Sequence, residues 1–261
     1  MPDVNEKNLT GGLLTTACRQ FKFGAFRDFR DIIAPEVTIE LLWPGHAPLR
    51  LLAFPDSLED LALGHALLEC CEPGQGARIA RVERFDQNNG DLLARFHLEP
   101  ETAPSHPAPP PPRLTPQRAL DAMASFISTA GRWEQTGCFH RAAVRALASL
   151  GHEDPVAFDH WVEDIGRHNC IDRLAGHCYA RGIDPAGLAL FVSARVTGSL
   201  AAKIAKAGFK FVVSRSAVTT AGIANSQAAG LTLSGFARVD RFTVFVDPSD
   251  CFGDAHAPDR A

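Results

Sequence analysis

The stretch Glu163-Asp164-Ile165-Gly166-Arg167-His168-Asn169-Cys170-Ile171-Asp172-Arg173-Leu174-Ala175 decides how the second half of this chain is read. Ile171, Leu174, Ala175 and Cys178 recur at i, i+3, i+4 and i+7, the pattern of a helix that lays one face on a core. Arg167, His168 and Asn169 then fall in the exposed first turn, directly after a short apolar run ending at Val162. A strand that ends in a glycine turn and opens a helix presents backbone N–H groups to an anionic ligand, and arginine adds a bidentate fork for phosphate. Taken alone, the heptapeptide Glu163 to Asn169 also admits a plainer reading in which Glu163 and Asp164 cap the helix and pair with Arg167.

Working outward, similar junctions recur at Ser193-Ala194-Arg195-Val196-Thr197-Gly198, Ser214-Arg215-Ser216-Ala217 and Gly235-Phe236-Ala237-Arg238. Apolar runs at 156–162, 188–192, 209–213, 231–233 and 243–246 alternate with helical patterns near 167–180, 199–207 and 219–229. This alternation predicts a mostly parallel sheet covered on both faces. Arginines at equivalent junctions of such a sheet converge on one crevice at the carboxyl ends of the strands. Lys203, one turn into the next helix, faces either that crevice or solvent. Thr115-Pro116 reads as N-cap and first residue of a helix reaching about Ala130. A further helix is expected from Cys138, with Ala143, Val144, Leu147 and Leu150 on one face.

Pro107 and Pro109 to Pro112 mark the boundary between two halves, 1–112 and 113–261, since such a run enters neither a helix nor a central strand. Upstream, 37–42 and 49–54 read as a strand pair, Ser57 as the cap of a helix, and 78–85 with 91–98 as a hairpin around Asn88-Asn89-Gly90. The first half is therefore a small α+β domain that includes the proline-rich linker. The whole is α/β.

Composition narrows the partners. With 26 basic against 30 acidic residues, a net charge of −4 and 46% hydrophobic residues, the chain is globular and lacks the basic excess of a general nucleic-acid or membrane-surface binder. No apolar stretch approaches the ~18 residues that a spanning helix needs. A cytoplasmic protein without nucleic-acid or membrane partners is expected. The seven cysteines are scattered and contain no Cys-x-x-Cys, so no zinc or other metal set is expected. Cys138, between Gly137 and the expected helix start, is either inert packing or a nucleophile, since a helix N-terminus lowers a thiol pKa.

At these junctions the sequence resembles the formate dehydrogenase accessory sulfurtransferases, the FdhD family. The resemblance rests on Glu163 to Arg173, Thr136-Gly137 with His140, Ser193 with Arg195, Lys203, Ser214 to Ala217, Gly235 to Arg238, and Phe54-Pro55-Asp56 through Gly64. It implies a cytidine-deaminase-like three-layer α/β/α domain at 113–261, a homodimer, and partnership with formate dehydrogenase and a cysteine desulfurase. It also implies transfer of persulfide sulfur to a molybdenum or tungsten bis(guanine dinucleotide) cofactor, with GDP as a mimic of half of it. The cofactor-binding residues so implied are Gly137, His140, Glu163, Asp164, Gly166, Arg167, His168, Asn169, Asp172, Ser193, Arg195, Lys203, Ser214, Arg215, Ser216, Gly235 and Arg238. One departure matters. The family's Cys-Gly-x-Cys-Gly type loop is replaced by Pro104 to Pro112, with no cysteine between Cys71 and Cys138. The sulfur carrier is then relocated, with Cys138 as the catalytic candidate, or supplied by a partner, or lost, leaving a cofactor chaperone.

Overall fold

A computed structural model describes residues 12–85, 92–104, 114–150 and 156–253. The described chain forms three sheets. A hairpin of β1 (Leu14–Lys22) and β2 (Ala25–Ile33) comes first, a pair for which the sequence reading had no expectation. A four-stranded sheet follows in the order β4-β3-β6-β5, from β3 (Val37–Leu42), β4 (Leu49–Ala53), β5 (Gln75–Arg84) and β6 (Leu92–Thr102), with α1 (Leu58–Glu69) on its face. The expected strand pair and antiparallel β5–β6 pairing are present, while Asn88-Asn89-Gly90 and the proline run at 105–112 lie outside the described residues. Ser57 occupies the N-cap position of α1 but does not cap it with its side chain, because its backbone is left-handed at φ 42°.

The second half builds one six-stranded sheet in the order β12-β11-β10-β9-β7-β8. Its strands are β7 (His140–Ala146), β8 (His160–Asp164), β9 (Leu188–Val192), β10 (Phe211–Ser214), β11 (Thr232–Gly235) and β12 (Thr243–Val246). The expected mostly parallel sheet needs correction: only β9–β10 and β10–β11 pair in parallel, and β7–β8, β7–β9 and β11–β12 are antiparallel. For the two pairings of β7 the cause lies at Cys138, where no helix begins. Ala142-Ala143-Val144 is instead a strand buried on both faces, and a short apolar run of that kind carries no period to separate helix from strand.

Side chains alternate across the sheet as pleating requires. Ala142, Val144, Leu190, Val192 and Val212 pack on α4 (Arg167–Ala180) and α5 (Gly198–Lys206), with α6 (Thr220–Ala228) beside them. Ala143, Ala189, Phe191, Phe211 and Val213 face α2 (Pro116–Ser128). Helices therefore cover both faces. Thr115 caps α2 as expected, its hydroxyl accepting the Arg118 N–H with Pro116 in the first turn. No helix among the described residues is long and apolar enough to cross a membrane.

The two sheets are joined through α1 and α4, which meet backbone to backbone. A Cβ on Gly64 would lie 1.7 Å from the Asp172 carbonyl, and one on Gly176 would lie 2.0 Å from the Asp60 carbonyl. Neither site tolerates a side chain without moving a helix. Gly64→Ala should therefore destabilise the protein by about 1–3 kcal/mol, as overpacking does, and thermal unfolding followed by circular dichroism should show a lower Tm. An unchanged Tm would mean that the helices do not touch there.

Candidate functional site

Four strands, β8, β9, β10 and β11, run in one direction and end at the same edge of the sheet. Arg167, Arg195, Arg215 and Arg238 follow these ends. Because β7 runs the other way, its start also lies there and brings Gly137, Cys138 and His140 to the same edge. The junctions after β9 and β10 are fastened side by side: the Val196 N–H donates to the Ala217 carbonyl and the Thr219 N–H to the Val196 carbonyl. Arg195 and Arg215 are thus held on adjoining, fixed backbone.

The arginines differ in what they touch. Among the described residues, no carboxylate or carbonyl meets the Arg167 or Arg195 guanidinium, although Arg167 is half-buried. Arg215 stands 5.8 Å over the Trp133 ring and borders a pocket of ≈ 40 Å³ with Trp133, Arg141 and Ser193. That volume suits waters; anything larger rests on the open edge. Arg238 is turned back on the protein, donating to the carbonyls of Arg215 and Ala237. His140 registers the local field. Its pKa is lowered, first by burial and then by the charges of Arg167 and Arg195, with Asp164 opposing. His168 is lowered likewise, by burial and by Arg167 and Lys203, and its Nε2 lies 3.2 Å from the Ser199 hydroxyl.

Other predicted residues have structural partners. Glu163 and Asp164 do not pair with Arg167. Glu163 is buried against Arg141, at 2.8 Å, and accepts the Arg132 N–H. Asp164 accepts from buried Arg173 at 2.6 Å and from the Gly166 N–H and Asn169 amide through its other oxygen. Asn169 also donates to the Leu52 carbonyl. Asp172 takes Lys203 at 2.7 Å and His65 at 3.0 Å, and Lys203 reaches Glu69 as well, so its ammonium is occupied between helices. Hydroxyls stitch the loops: Ser214 donates to the Ala194 carbonyl, Ser216 to the Ser193 carbonyl, and Ser193 accepts the Arg141 N–H. Gly235 is pressed under Val218, where a Cβ would come within 2.6 Å.

Sequence reasoning missed Arg141, Trp133 and Arg132. The helix expected at 138 hid Arg141, and the run Ala142-Ala143-Val144 beside it carries no alternation that would have marked a strand. Arg132 lies 4.4 Å over the Phe54 ring and bridges to Asp56, an arrangement across the two sheets that no local pattern encodes.

With this edge in view, comparison with known sequences is informative. A sequence model of the FdhD/NarQ family matches residues 88–251. The chain belongs to the FdhD/NarQ family. It is 35% identical over 135 residues to a protein from Staphylococcus haemolyticus named sulfur carrier protein FdhD, an alignment spanning 52% of this chain and 48% of that protein. It is 29% identical over 255 residues to the sulfur carrier protein FdhD of Staphylococcus aureus (strain MRSA252), covering 88% of this chain and 92% of the other. In fold it is similar to a solved structure from Desulfotalea psychrophila, provisionally described as a formate dehydrogenase accessory protein, with a TM-score of 0.69, 18% identity, and coverage of 90% of this chain and 97% of that one.

In this FdhD/NarQ chain Cys138 is exposed, whereas Cys18, Cys70 and Cys71 are half-buried and Cys170, Cys178 and Cys251 are buried. It follows the C-terminal end of the short helix α3 (Arg132–Thr136), with Gly137 at φ 71° as the C-cap. The helix start expected after it is strand β7, so the helix-dipole argument for its reactivity falls away. The Thr136 hydroxyl lies 3.4 Å from the Cys138 sulfur. Away from this edge, Asp60, His160 and His177 place ligand-type atoms within 4.8 Å of one another. The two imidazoles stack at 3.5 Å and 8°, so their in-plane lone pairs run side by side instead of converging on an ion. Arg181 at 3.5 Å from Asp60 adds positive charge there. Burial first, then the neighbouring His177, pushes the His160 pKa down to about 4.

The field at the edge is measurable. Neighbouring positive charge disfavours the imidazolium, so His140 should titrate below its ordinary 6.5 in NMR, and Arg195→Ala should move the midpoint upward. An unmoved midpoint would mean that Arg195 points elsewhere.

Proposed function

We propose that this chain is an accessory factor for formate dehydrogenase that binds a molybdenum or tungsten bis(guanine dinucleotide) cofactor as cargo along the carboxyl edge of its six-stranded sheet. The observation that carries this reading is the cluster of Arg167, Arg195 and Arg215 after the ends of β8, β9 and β10 on one edge of the sheet, none paired with a carboxylate among the described residues. Cations gathered without counter-charge repel one another, and an anion relieves that repulsion. Pyrophosphate groups have the charge and spacing to meet several guanidinium forks, and the Trp133 face beside Arg215 offers a guanine ring a stacking surface. The relatives' name, sulfur carrier protein FdhD, and the description of the Desulfotalea psychrophila structure direct the same reading toward formate dehydrogenase. The strand order β8-β7-β9-β10-β11, with helices on both faces, supports a cytidine-deaminase-like arrangement for this half.

GDP should bind at millimolar concentration or tighter in isothermal titration calorimetry, and Arg215→Ala should weaken it about tenfold or more, the worth of one charge-assisted contact. Absence of GDP binding, or indifference to the substitution, would sink the reading.

Sulfur delivery is a second step of the same proposal, favoured by the exposure of Cys138 on this edge. Its thiolate would attack the outer sulfur of a desulfurase persulfide, forming a new S–S bond as the desulfurase thiolate leaves. Incubation with a cysteine desulfurase and cysteine should add about 32 Da, one sulfur atom, to the intact protein. Cys138→Ser should abolish the adduct while Cys70→Ser and Cys71→Ser keep it. If no adduct forms and Cys138→Ser still supports maturation, the chain is a cofactor chaperone. The lack of any cysteine between Cys71 and Cys138 favours that alternative.

A further inference from the structure

A second cavity, of ≈ 280 Å³, opens on the seam between the two halves. Leu67 and Leu68 of α1, in the first half, line it together with Ala175 of α4 and Ala207 at the end of α5, in the second. Leu67 and Leu68 follow Gly64 by one turn of helix and Ala175 precedes Gly176, so the cavity borders the place where α1 and α4 touch. Pro185 and Ala207 in its wall precede β9 and β10, whereas Arg195 and Arg215 follow those strands. The cavity therefore lies at the edge of the six-stranded sheet opposite the arginines.

Its wall is poor in groups that hold water. An enclosed water needs several polar partners, and the side chains of Leu67, Leu68, Ala175, Ile183, Pro185 and Ala207 offer none. Two polar side chains in the wall are already engaged within the protein. The Tyr179 hydroxyl donates to Glu101 at 2.7 Å, and the Gln75 side-chain carbonyl accepts the Glu72 N–H at 3.0 Å. Water against such a wall is released at a gain when an apolar body replaces it. The volume is close to the lower end of small-ligand pockets, about 300 Å³, and such pockets favour junctions of this kind.

Lys206 is the exception. Among the described residues it is the one charged group lining the cavity, and no carboxylate pairs with its ammonium. Its charge reaches across the seam: burial raises the thiol pKa values of Cys70 and Cys71 at the end of α1, and Lys206 opposes that rise in both. Lys203, one turn earlier on α5, is by contrast held by Asp172 and Glu69. An apolar wall with a single unpaired cation at its rim selects an anion that carries an apolar body.

We propose that this cavity is a second ligand site, for a small carboxylate with an aliphatic body, whose head pairs with Lys206 and whose chain lies against α1 and α4. An occupant that touches both helices braces the contact between the halves, and it does so from the side of the sheet opposite the arginine edge.

Octanoate is the probe, and octan-1-ol is its uncharged counterpart. In isothermal titration calorimetry the full chain should bind a single octanoate at millimolar concentration or tighter, and octanol about tenfold more weakly or worse. Octanoate should also raise the Tm, as a ligand of the folded state does. Lys206→Glu should weaken octanoate about tenfold or more while leaving octanol unchanged. Ala207→Trp, which fills the cavity from its rim, should abolish binding of both. Each variant should keep the wild-type circular dichroism, a check on the fold that holds whether or not GDP binds at the other edge. Absence of octanoate binding, equal affinity of the wild type for octanol, or octanoate affinity indifferent to either substitution would each overturn the proposal.

Discussion

One buried guanidinium holds the two halves of this protein in place. Arg173, on α4, is 1% exposed, pairs with Asp164 at the end of β8, and donates to the carbonyls of Phe54, Asp56 and Ser57 where β4 passes into α1. A buried charge is costly unless every donor is used, and here the remaining N–H groups find main-chain oxygens. Ser57 is held in its left-handed conformation at this point, and its carbonyl also accepts the Leu61 N–H of α1. The same Asp164 orders Gly166 and Asn169 at the start of α4. The position of Arg167 at the edge is thus set by a contact between halves that are distant in sequence.

Charge at the edge divides into two populations. Arg141, Arg173 and Lys203 are sealed against Glu163, Asp164 and Asp172, three carboxylates that the motif carries in sequence with the helix start. These pairs hold strand to helix and helix to helix. Arg167, Arg195 and Arg215 remain without such partners, and the His140 pKa, lowered first by burial, is lowered further by the charges of Arg167 and Arg195. A protein with a net charge of −4 thereby presents a local positive field.

Much of this was legible in the chain because local patterns carry local structure. The Ile171, Leu174, Ala175 and Cys178 spacing gave α4, Thr115-Pro116 gave α2, and the junctions holding Arg195, Arg215 and Arg238 fell at strand ends as expected. Strand β7 failed because Ala142-Ala143-Val144 is buried on both faces and so lacks alternation, and with it went the direction of its two pairings, with β8 and β9. The partners of Glu163, Asp164 and Asp172 were illegible for another reason. Which arginine or lysine reaches a given carboxylate depends on long-range packing, and Lys203 in particular shows an ambiguous helical position resolved only when α1 brings Glu69 beside it. The β1–β2 hairpin escaped because Phe26, Phe29 and Ile32 of β2 recur every third position instead of every second, and neither strand has a buried face to mark it.

The glycine contact between α1 and α4 also limits how the protein can move. Packed helices usually adjust by sliding over intervening side chains, which repack in small steps as a shear. Gly64 and Gly176 leave no such layer: main chain rests on main chain, so translation of one helix along the other would drive carbonyls into backbone. Rotation about the crossing point is the motion that keeps this contact. Any rearrangement linking the four-stranded sheet to the arginine edge would therefore be a pivot centred on these glycines, with its largest displacements at the far ends of α1 and α4.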